Sequence, residues 1–499
     1  RVNSSGLVET VELLGSEEIT NGDFATDLSG WIDSTSDTFE QVSSWQGENG
    51  NMHIVTSAAN RGARQTGVYT VGVLYKFTAK LWIVSGGVYF GKNTDKIGGI
   101  DYTTTGEWID INVIFNPSTD DTLRVYTVGA GEFYLDNISV KESTKNNLAR
   151  VDYDGTASSL LVEPERTNLL TYSEDFSNAA WTKTGSSVVS GFVSPSGELN
   201  AYTLTEDTSN GQHKIDPQNI SLTNGSDYTC SIFAKKGLRD VLQMVWSGSF
   251  GSSYVNFDLT NATFQASGLV TGKIETFANG WYKCTITQAA AATGLGRCQI
   301  LLQDNISATR FGSYQGNGSG NIFIAFAQVE AGSYATSYIP TSGGTVTRVQ
   351  DQYSKTGISN LINSEEGVLF VEMAALANDS TNRQLKLSDG TDTNRIVLKY
   401  DNQSNVIQCF NRVNGVETAT LSATVSDITQ FSKIAIKWKL NDYALWIDGF
   451  EVDTDNPSTT FPSSTLSELT FGTSSALYAR VKQLQVFKTT DIDLAALTS

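Results

Sequence analysis

The sequence has 499 residues, of which 39% are hydrophobic and only 17% are charged, and its formal net charge at neutral pH is −19. A nucleic-acid-binding surface needs clustered Lys and Arg, which this acidic chain lacks, and no run of about 18 apolar residues is present that could cross a membrane. At roughly 150 residues per domain, the length indicates about three domains.

Composition predicts an all-β protein. Aromatic residues make up 10% of the chain, the 44 glycines supply turns, and long periodic stretches of helix-forming residues are missing. The four cysteines have no Cys-x-x-Cys spacing and are distributed three to one between two of the predicted domains. This distribution favours folding in a reducing cytoplasm over a disulfide framework.

The first two thirds of the chain contain an internal repeat. The segment with Phe24 and Trp31 recurs as the segment with Phe176 and Trp181. Three further segments recur in the same order. The first residues of each matching pair are Tyr75 and Tyr228, Thr105 and Ala278, and Phe133 and Ile322. Four matches in one order indicate two related domains.

Residues in the repeated segments alternate between apolar and polar, as in half-buried strands. In the segment 75–83, the side chains of Tyr75, Phe77, Ala79, Leu81 and Ile83 form one predicted face. The opposite face carries Lys76, Thr78, Lys80 and Trp82. With no helical pattern beside such strands, the sequence predicts two-sheet sandwiches.

We therefore predict three tandem β-sandwich domains of jelly-roll type, two of them related by the repeat. Their predicted bounds are a connector at 1–18, a first jelly roll at 19–142, a linker arm at 143–166, a second jelly roll at 167–340, a linker at 341–360 and a third sandwich at 361–499.

Short motifs in each domain resemble known families. The first domain, with Asn21-Gly-Asp-Phe24 and Tyr134-Leu-Asp-Asn-Ile-Ser-Val140, resembles the carbohydrate-binding modules attached to cellulases and xylanases. The second, with Arg166-Thr-Asn-Leu-Leu170 and Asn279-Gly-Trp-Tyr282, is similar to modules of bacteriophage tail and head fibre proteins. The third resembles the concanavalin-A-like or laminin-G-like sandwich. Together these resemblances imply a virion surface protein built from sugar-binding folds.

Sugar binding needs flat aromatic rings for pyranose faces and polar groups for hydroxyls. The tryptophans that recur in both repeats are interpreted as core residues: Trp31, Trp108, Trp181 and Trp281. Unrepeated aromatics are the candidate carbohydrate-binding residues: Trp82, Tyr89, Trp45, Phe233 and Trp246. Contacts between domains or subunits are the alternative role for these five side chains.

The resemblance also implies a structural calcium ion. Asp23 and Asp136 match the family's positions near the two ends of the first sandwich and are the candidate ligands.

Catalysis has little support in the sequence. The two histidines, His53 and His213, are interpreted as structural, and the Glu-x-Asp-x-x-Glu run of glucan-cutting concanavalin-A-like enzymes is absent. We therefore expect a non-enzymatic virion surface fibre or appendage that is made in the host cytoplasm and binds host-surface or environmental glycans. Alternatives are a structural virion decoration or joint protein and a polysaccharide depolymerase. Expected partners are glycans and other virion proteins in a homotrimer, without nucleic acid or membrane insertion.

Overall fold

A computed structural model describes residues 1–9, 13–144, 148–456, 459–471 and 475–499 of the chain. The chain divides into two compact units, Val11–Leu148 and a second one formed by Arg1–Thr10 with Ala149–Ser499. Nearly all regular structure is antiparallel β-sheet. Within the described ranges, no helix is long and apolar enough to cross a membrane.

The first unit is a two-sheet sandwich. Its strands are β1 (Leu13–Glu17), β2 (Ile32–Ser34), β3 (Thr38–Trp45), β4 (Glu48–Thr56), β5 (Gly62–Gln65), β6 (Tyr75–Ser85), β7 (Val88–Lys92), β8 (Asp95–Lys96), β9 (Trp108–Phe115), β10 (Leu123–Thr127) and β11 (Gly131–Thr144). One sheet has the order β3-β4-β11-β6-β9, with β1 also paired to β11, and the other has the order β2-β5-β10-β7-β8. Their inner faces bury an aromatic core that includes Phe24, Phe77, Phe90 and Phe133.

The second unit contains two further sandwiches. Two strands come first in the chain, β12 (Arg150–Asp154) and β13 (Ala157–Val162). The second sandwich and its flanks follow as β14 (Arg166–Asn168), β15 (Thr182–Thr184), β16 (Ser186–Phe192), β17 (Ala201–Glu206), β18 (Asn210–Gly211), β19 (His213–Asp216), β20 (Ile220–Leu222), β21 (Asp227–Lys236), β22 (Val241–Gly248), β23 (Tyr254–Asp258), β24 (Thr263–Ser267), β25 (Thr271–Thr276), β26 (Tyr282–Ala289), β27 (Gly294–Gln303), β28 (Tyr314–Gln315), β29 (Asn321–Ala331) and β30 (Val346–Arg348). The sheet orders are β16-β17-β29-β21-β26-β25 and β15-β19-β27-β22-β23-β24.

The first two sandwiches share one topology, which confirms the predicted repeat. The strand order β3-β4-β11-β6-β9 corresponds one to one with β16-β17-β29-β21-β26. The long last strand of each sandwich carries the same bulge, with the left-handed residue at Asn137 in one and Phe326 in the other. Trp31 packs on Phe24, and Trp181 packs on Phe176, at the start of each sandwich.

The third sandwich closes the chain. Its strands are β31 (Ser354–Lys355), β32 (Gly367–Ala375), β33 (Arg383–Ser388), β34 (Arg395–Tyr400), β35 (Val406–Val413), β36 (Val416–Thr424), β37 (Ser432–Trp438), β38 (Tyr443–Ile447), β39 (Phe450–Asp455), β40 (Glu468–Thr470) and β41 (Ala479–Phe487), followed by the short helix α1 (Leu494–Thr498). Its sheets have the orders β12-β13-β41-β32-β37-β38-β39 and β31-β40-β33-β34-β35-β36.

The segments predicted as connector and linkers contain strands of the sandwiches themselves. The predicted connector 1–18 contributes β1 to the first sandwich, where it pairs with β11. The predicted linker arm 143–166, which we expected to lie against the domains, contains the hairpin of β12 and β13, which joins the third sandwich through β41. The predicted linker 341–360 supplies β30, which pairs with β14, and β31, which pairs with β40. Unpaired sheet edges are thereby covered by chain that lies far away in sequence.

Candidate functional site

The outer face of one sheet in the first sandwich carries a row of aromatic side chains. Tyr134 of β11 lies opposite Trp82 of β6, and Trp82 lies opposite Trp108 of β9. On the other side of Tyr134, its ladder partner in β4 is His53. Because side chains alternate along each strand, the neighbours of these residues, such as Leu81 and Leu135, point into the core. We call Trp45, His53, Trp82, Trp108 and Tyr134 the aromatic face.

The rings of the aromatic face contact one another closely. Trp45 stacks on Tyr134 with 4.0 Å between ring centroids, and His53 stacks on Tyr134 with 4.3 Å. Trp82 meets Trp108 edge-on at 5.8 Å and an interplanar angle of 68°. Tyr134 is buried between its neighbours, whereas Trp45, Trp82 and Trp108 are half-buried. Flat rings with one accessible side are the surface that a pyranose ring stacks on.

The turn between β3 and β4 lies over the same face. The indole Nε1 of Trp108 donates to the backbone oxygen of Gln46 at 3.3 Å. Lys80 of β6 forms an ion pair with Glu48 at the start of β4. The turn therefore forms a wall beside Trp82. Trp45, the last residue of β3 before the turn, is thereby placed next to Tyr134.

Carboxylates outnumber free cations around the aromatic face. Lys80 lies opposite Asp136 and Asp110 in the two neighbouring strands, and its hydrogen bond to Glu48 raises the pKa of its ammonium group. Burial, with the charges of Glu48 and Asp23, raises the pKa of Asp136 to about 6. Three carboxylates thus surround one ammonium group.

His53 is held at the edge of the face by two carboxylates. Its Nδ1 lies 2.9 Å from Oε1 of Glu40, and its Nε2 lies 3.0 Å from Oε1 of Glu132. The imidazole is thereby fixed in the plane in which it stacks on Tyr134.

The equivalent part of the second sandwich, around Phe233 and Phe323, is covered by other segments of the chain. By ladder position, Lys235 replaces Trp82, Phe323 replaces Tyr134, and Phe233 replaces Lys80. Phe233 belongs to a buried cluster with Trp281 and Phe326, in which the ring of Tyr338 stacks on Phe326 at 4.7 Å. The two repeats therefore keep the same sheet but use its outer face differently: the second packs chain against it, and the first presents rings and charges.

The structure brings two of the five candidate carbohydrate-binding residues together. Trp82 and Trp45 both belong to the aromatic face. Tyr89 is buried on the other sheet, where its hydroxyl donates to Oδ1 of Asn60 at 2.6 Å. Phe233 lies in the covered cluster, and Trp246 is fully buried in the second core, stacked on Phe250. These last three side chains cannot contact a ligand at the aromatic face.

The recurring tryptophans divide into two groups. Trp31 and Trp181 are buried core residues, as the repeat predicted. Trp108 is not a core residue, because it lies on the outer face opposite Trp82 and is half-buried. Trp281 occupies the equivalent outer position but is fully buried by the covering chain.

Besides Trp108, two further members of the aromatic face were not predicted as binding residues. Tyr134 stands between the inward-facing Phe133 and Leu135, and His53 stands between Met52 and Ile54. Alternation alone places both side chains outward. What alternation does not reveal is that β4, β11 and β6 lie side by side in a register that aligns them.

The predicted calcium ligands lie near the aromatic face. Asp136 is buried and accepts hydrogen bonds from the backbone nitrogen and the side-chain amide of Asn137, whereas Asp23 is exposed. The buried Oδ1 of Asn51, on the neighbouring strand β4, has no hydrogen-bond partner within the described structure. In the same ranges, no group of three or more His, Cys, Asp and Glu side chains is placed to hold a metal. Amide and backbone oxygens would therefore have to complete the six to eight ligands that calcium takes.

Neither protein-family models nor curated protein sequences give a match. Among solved structures, the chain is similar to the tandem CBM22-1–CBM22-2 domain of Xyn10C from Paenibacillus barcinonensis, with 12% identity, 65% of this chain and 100% of that chain covered, and a TM-score of 0.25. It is also similar to sheep galectin-11 in complex with glycerol, with 9% identity, coverages of 27% and 95%, and a TM-score of 0.20. Domains LG4–5 of the mouse laminin α1 chain have 11% identity, coverages of 63% and 93%, and a TM-score of 0.20. TM-scores this low support no inference about function, which depends on the contacts described above.

Proposed function

We propose that the first sandwich binds glycans through its aromatic face. The observation that carries the proposal is the row of Tyr134, Trp82 and Trp108 across three adjacent strands. Trp82 and Trp108 are half-buried, Tyr134 is buried between its own neighbours, and charged groups border the row. A large ring on the outer face of a sheet gains little from folding unless a partner covers it. In the second sandwich, that partner is the chain itself.

The charges of the aromatic face select the class of sugar. Lys80 is neutralised by Glu48 and has Asp110 and Asp136 as ladder partners, so the face offers no unopposed cation beside Trp82. Lysines precede Trp82 in the sequence, but these carboxylates would repel an acidic sugar. Neutral sugars and amino sugars are the ligands that the proposal names.

A panel of immobilised neutral, amino and acidic glycans tests the proposal. Binding to at least one neutral or amino glycan is expected for the whole chain, and it should fall at least tenfold, about 1.4 kcal/mol, in Trp82→Ala. Lys235→Ala changes the equivalent position of the second sandwich and should leave binding unchanged. Phe264→Ala removes a ring that is exposed on β24 and serves as the control for loss of a surface aromatic. Unchanged binding by Trp82→Ala would place the ligand elsewhere.

The wider role that we propose is adhesion at a virion surface. Its support is the resemblance of the second domain to bacteriophage fibre modules, in Arg166-Thr-Asn-Leu-Leu170 and Asn279-Gly-Trp-Tyr282. In this role the chain is made in the host cytoplasm, assembles as a homotrimer with other virion proteins, and attaches without cutting the glycan. Electron microscopy of particles labelled with an antibody to the chain tests the location. Light scattering tests the trimer, and the release of reducing ends tests for cleavage.

We also propose a structural calcium ion at Asp136. Asp23 and the free Oδ1 of Asn51 are the further oxygen ligands, and the buried carboxylate of Asp136 is the group that would gain most from a cation. A calcium-dependent rise in melting temperature tests this site.

A further inference from the structure

A second concave site lies within the unit that holds the second and third sandwiches. It is a cleft of about 510 Å³, in the size range of small-ligand sites. One wall is the outer face of β25 and β26, with Lys273 and Thr285. The opposite wall belongs to the third sandwich and includes Phe431 and Arg480. Clefts between domains are preferred positions for ligands.

A buried ion network next to the cleft fixes the two walls to each other. Arg150 of β12 pairs with Glu163 at 2.5 Å and with Asp351, and all three side chains are almost fully buried. Glu163 also accepts a hydrogen bond from the backbone nitrogen of Ser337 at 2.8 Å. Ser337 belongs to the segment that lines the cleft beside the second sandwich, whereas β12 belongs to the third. The cleft is therefore held open before a ligand arrives, which lowers the cost of binding.

Three cationic side chains of the cleft are paired rather than free. Lys273 lies 2.7 Å from Glu275 on one wall, and Arg480 lies 3.7 Å from Asp152 on the other. Lys283 donates to the backbone oxygen of Thr336 at 2.9 Å. Such walls offer hydrogen-bond donors and acceptors on both sides without a field of one sign, so they suit a neutral ligand.

One hydroxyl of the cleft lacks a partner. Oγ1 of Thr285 is buried and makes no hydrogen bond with any described residue, although the side chain is on the face that lines the cleft. A buried hydroxyl without a partner is unfavourable, and a hydrogen bond from a bound ligand would remove that cost.

Two aromatic rings complete the cleft. Phe277 follows β25 on the wall of the second sandwich, and Phe431 lies on the opposite wall. The Nζ of Lys482 lies over one side of the Phe431 ring, 3.8 Å from its centroid, and Phe277 contacts Phe233 edge-on. Both rings are only half-buried, so each keeps an accessible part for the apolar face of a sugar ring. From this combination we infer that the cleft is a second binding site, separate from the aromatic face, for a neutral oligosaccharide.

The test separates the two sites by variants. Neutral hexasaccharides of β-1,4-glucose, β-1,4-xylose and α-1,4-glucose are titrated by calorimetry into the whole chain and into the double variant Trp82→Ala/Trp108→Ala. We expect the double variant to keep one binding site for at least one hexasaccharide. In that background, Thr271→Trp fills the cleft from an exposed strand position and should weaken the remaining binding at least tenfold. Thr263→Trp places the same ring on the exposed edge strand β24 and should change the Kd less than about twofold.

The possible outcomes distinguish the cleft from the aromatic face. Loss of all binding in the double variant would overturn the cleft site and leave the aromatic face supported. Binding that persists in the double variant but ignores Thr271→Trp would also overturn it. Binding lost only on Thr271→Trp would support the cleft and contradict the aromatic face. If the whole chain binds no hexasaccharide with a Kd below about 1 mM, both sites are contradicted. If the cleft binds peptides selectively, the oligosaccharide site in the cleft is contradicted. If Thr271→Trp lowers the melting temperature, Lys273→Ala removes an exposed donor of the cleft and should weaken the same binding.

Discussion

The indole ring of Trp45 lies flat on the phenol ring of Tyr134, with 4.0 Å between centroids and 6° between planes. His53 stacks on the other side of Tyr134, so the phenol is enclosed from both faces and only 5% exposed. Tyr134 therefore supports its neighbours, while Trp82, one strand further, keeps an accessible surface. The two residues should respond differently to substitution.

Trp82→Ala should lower glycan binding much more than stability. We expect a loss of about 1 kcal/mol in the free energy of unfolding, because the half-exposed ring gives up mainly its edge contact with Trp108. Tyr134→Ala should cost about 3 kcal/mol, because it removes a ring enclosed by Trp45 and His53. Urea unfolding of both variants measures the difference. Equal losses of stability would contradict the assignment of these roles.

Glu206 should make the second sandwich sensitive to acid. Burial alone would raise the pKa of this carboxyl, but hydrogen bonds from Arg239, Asn317 and Tyr314 lower it to about 2. A carboxyl whose pKa is lower in the folded than in the unfolded chain contributes its full stabilisation at pH values above its pKa in the unfolded chain. That contribution is lost as pH falls from about 4.5 to about 2.

The variant Glu206→Gln measures this contribution. It should destabilise the chain by about 2–3 kcal/mol at neutral pH and reduce the loss of stability on acidification. Glu366→Gln is the matched control, because Glu366 forms a more exposed pair with Lys439 at 2.8 Å and should contribute at most about 1 kcal/mol. The role of Glu206 would be refuted by an identical acid profile for wild type and Glu206→Gln.

Alternation predicted the faces of isolated strands but not their neighbours. In β6 the residues from Tyr75 to Ile83 are alternately buried and half-buried, as the sequence indicates. The rule fails where both faces of a strand are covered, as for Trp246 in β22, whose first six residues are all buried. Tyr89 lies in a similar strand, β7, in which the first four residues are buried.

Pairings between strands that are distant in the chain could not be predicted from the sequence either. The hairpin of β12 and β13 reaches the third sandwich by pairing with β41, which follows almost the whole second and third domains in the chain. Local patterns carry no information about such a partner, because the pairing is decided by which sheet edge is left open. The aromatic face depends on the same kind of register, between Tyr134, Trp82 and Trp108.

Arg150→Ala should weaken the coupling between the second and third sandwiches, so that they no longer unfold together. The substitution removes the cation that the buried carboxylates of Glu163 and Asp351 share, although Glu163 keeps its pair with Arg348 at 3.1 Å. Breaking a buried pair in this way costs about 3–5 kcal/mol. We expect scanning calorimetry to show a transition of the third sandwich at lower temperature than in the wild type. Arg412→Ala removes an exposed pair with Glu417 at 3.7 Å and should shift melting little. A single unfolding transition as narrow as that of the wild type would show that other contacts join the sandwiches.

The carboxyl of Asp136 should make the stability of the fold depend on calcium. Its raised pKa of about 6 means that the folded chain releases this proton later than the unfolded chain, whose carboxyl titrates near 3.8. Without calcium, the charged carboxylate should therefore weaken the fold as pH rises from about 3.8 to about 6, by about 1–2 kcal/mol. In a chelator at neutral pH, Asp136→Asn should melt above the wild type, and the two should converge below about pH 4. Added calcium should reverse the order, because the ion stabilises the carboxylate and cannot do so for the amide.

Asp110→Asn is the matched control for this test. Asp110 is exposed and lies opposite Lys80 on the same face, so its substitution alters the local charge without touching the proposed calcium ligands. It should keep the rise in melting temperature that calcium causes in the wild type. If calcium raises the melting temperature of Asp136→Asn as much as that of the wild type, the ion binds elsewhere. If calcium has no effect on the wild type, the charge of Asp136 is an uncompensated cost of the fold, and its removal stabilises the chain under all conditions above about pH 6.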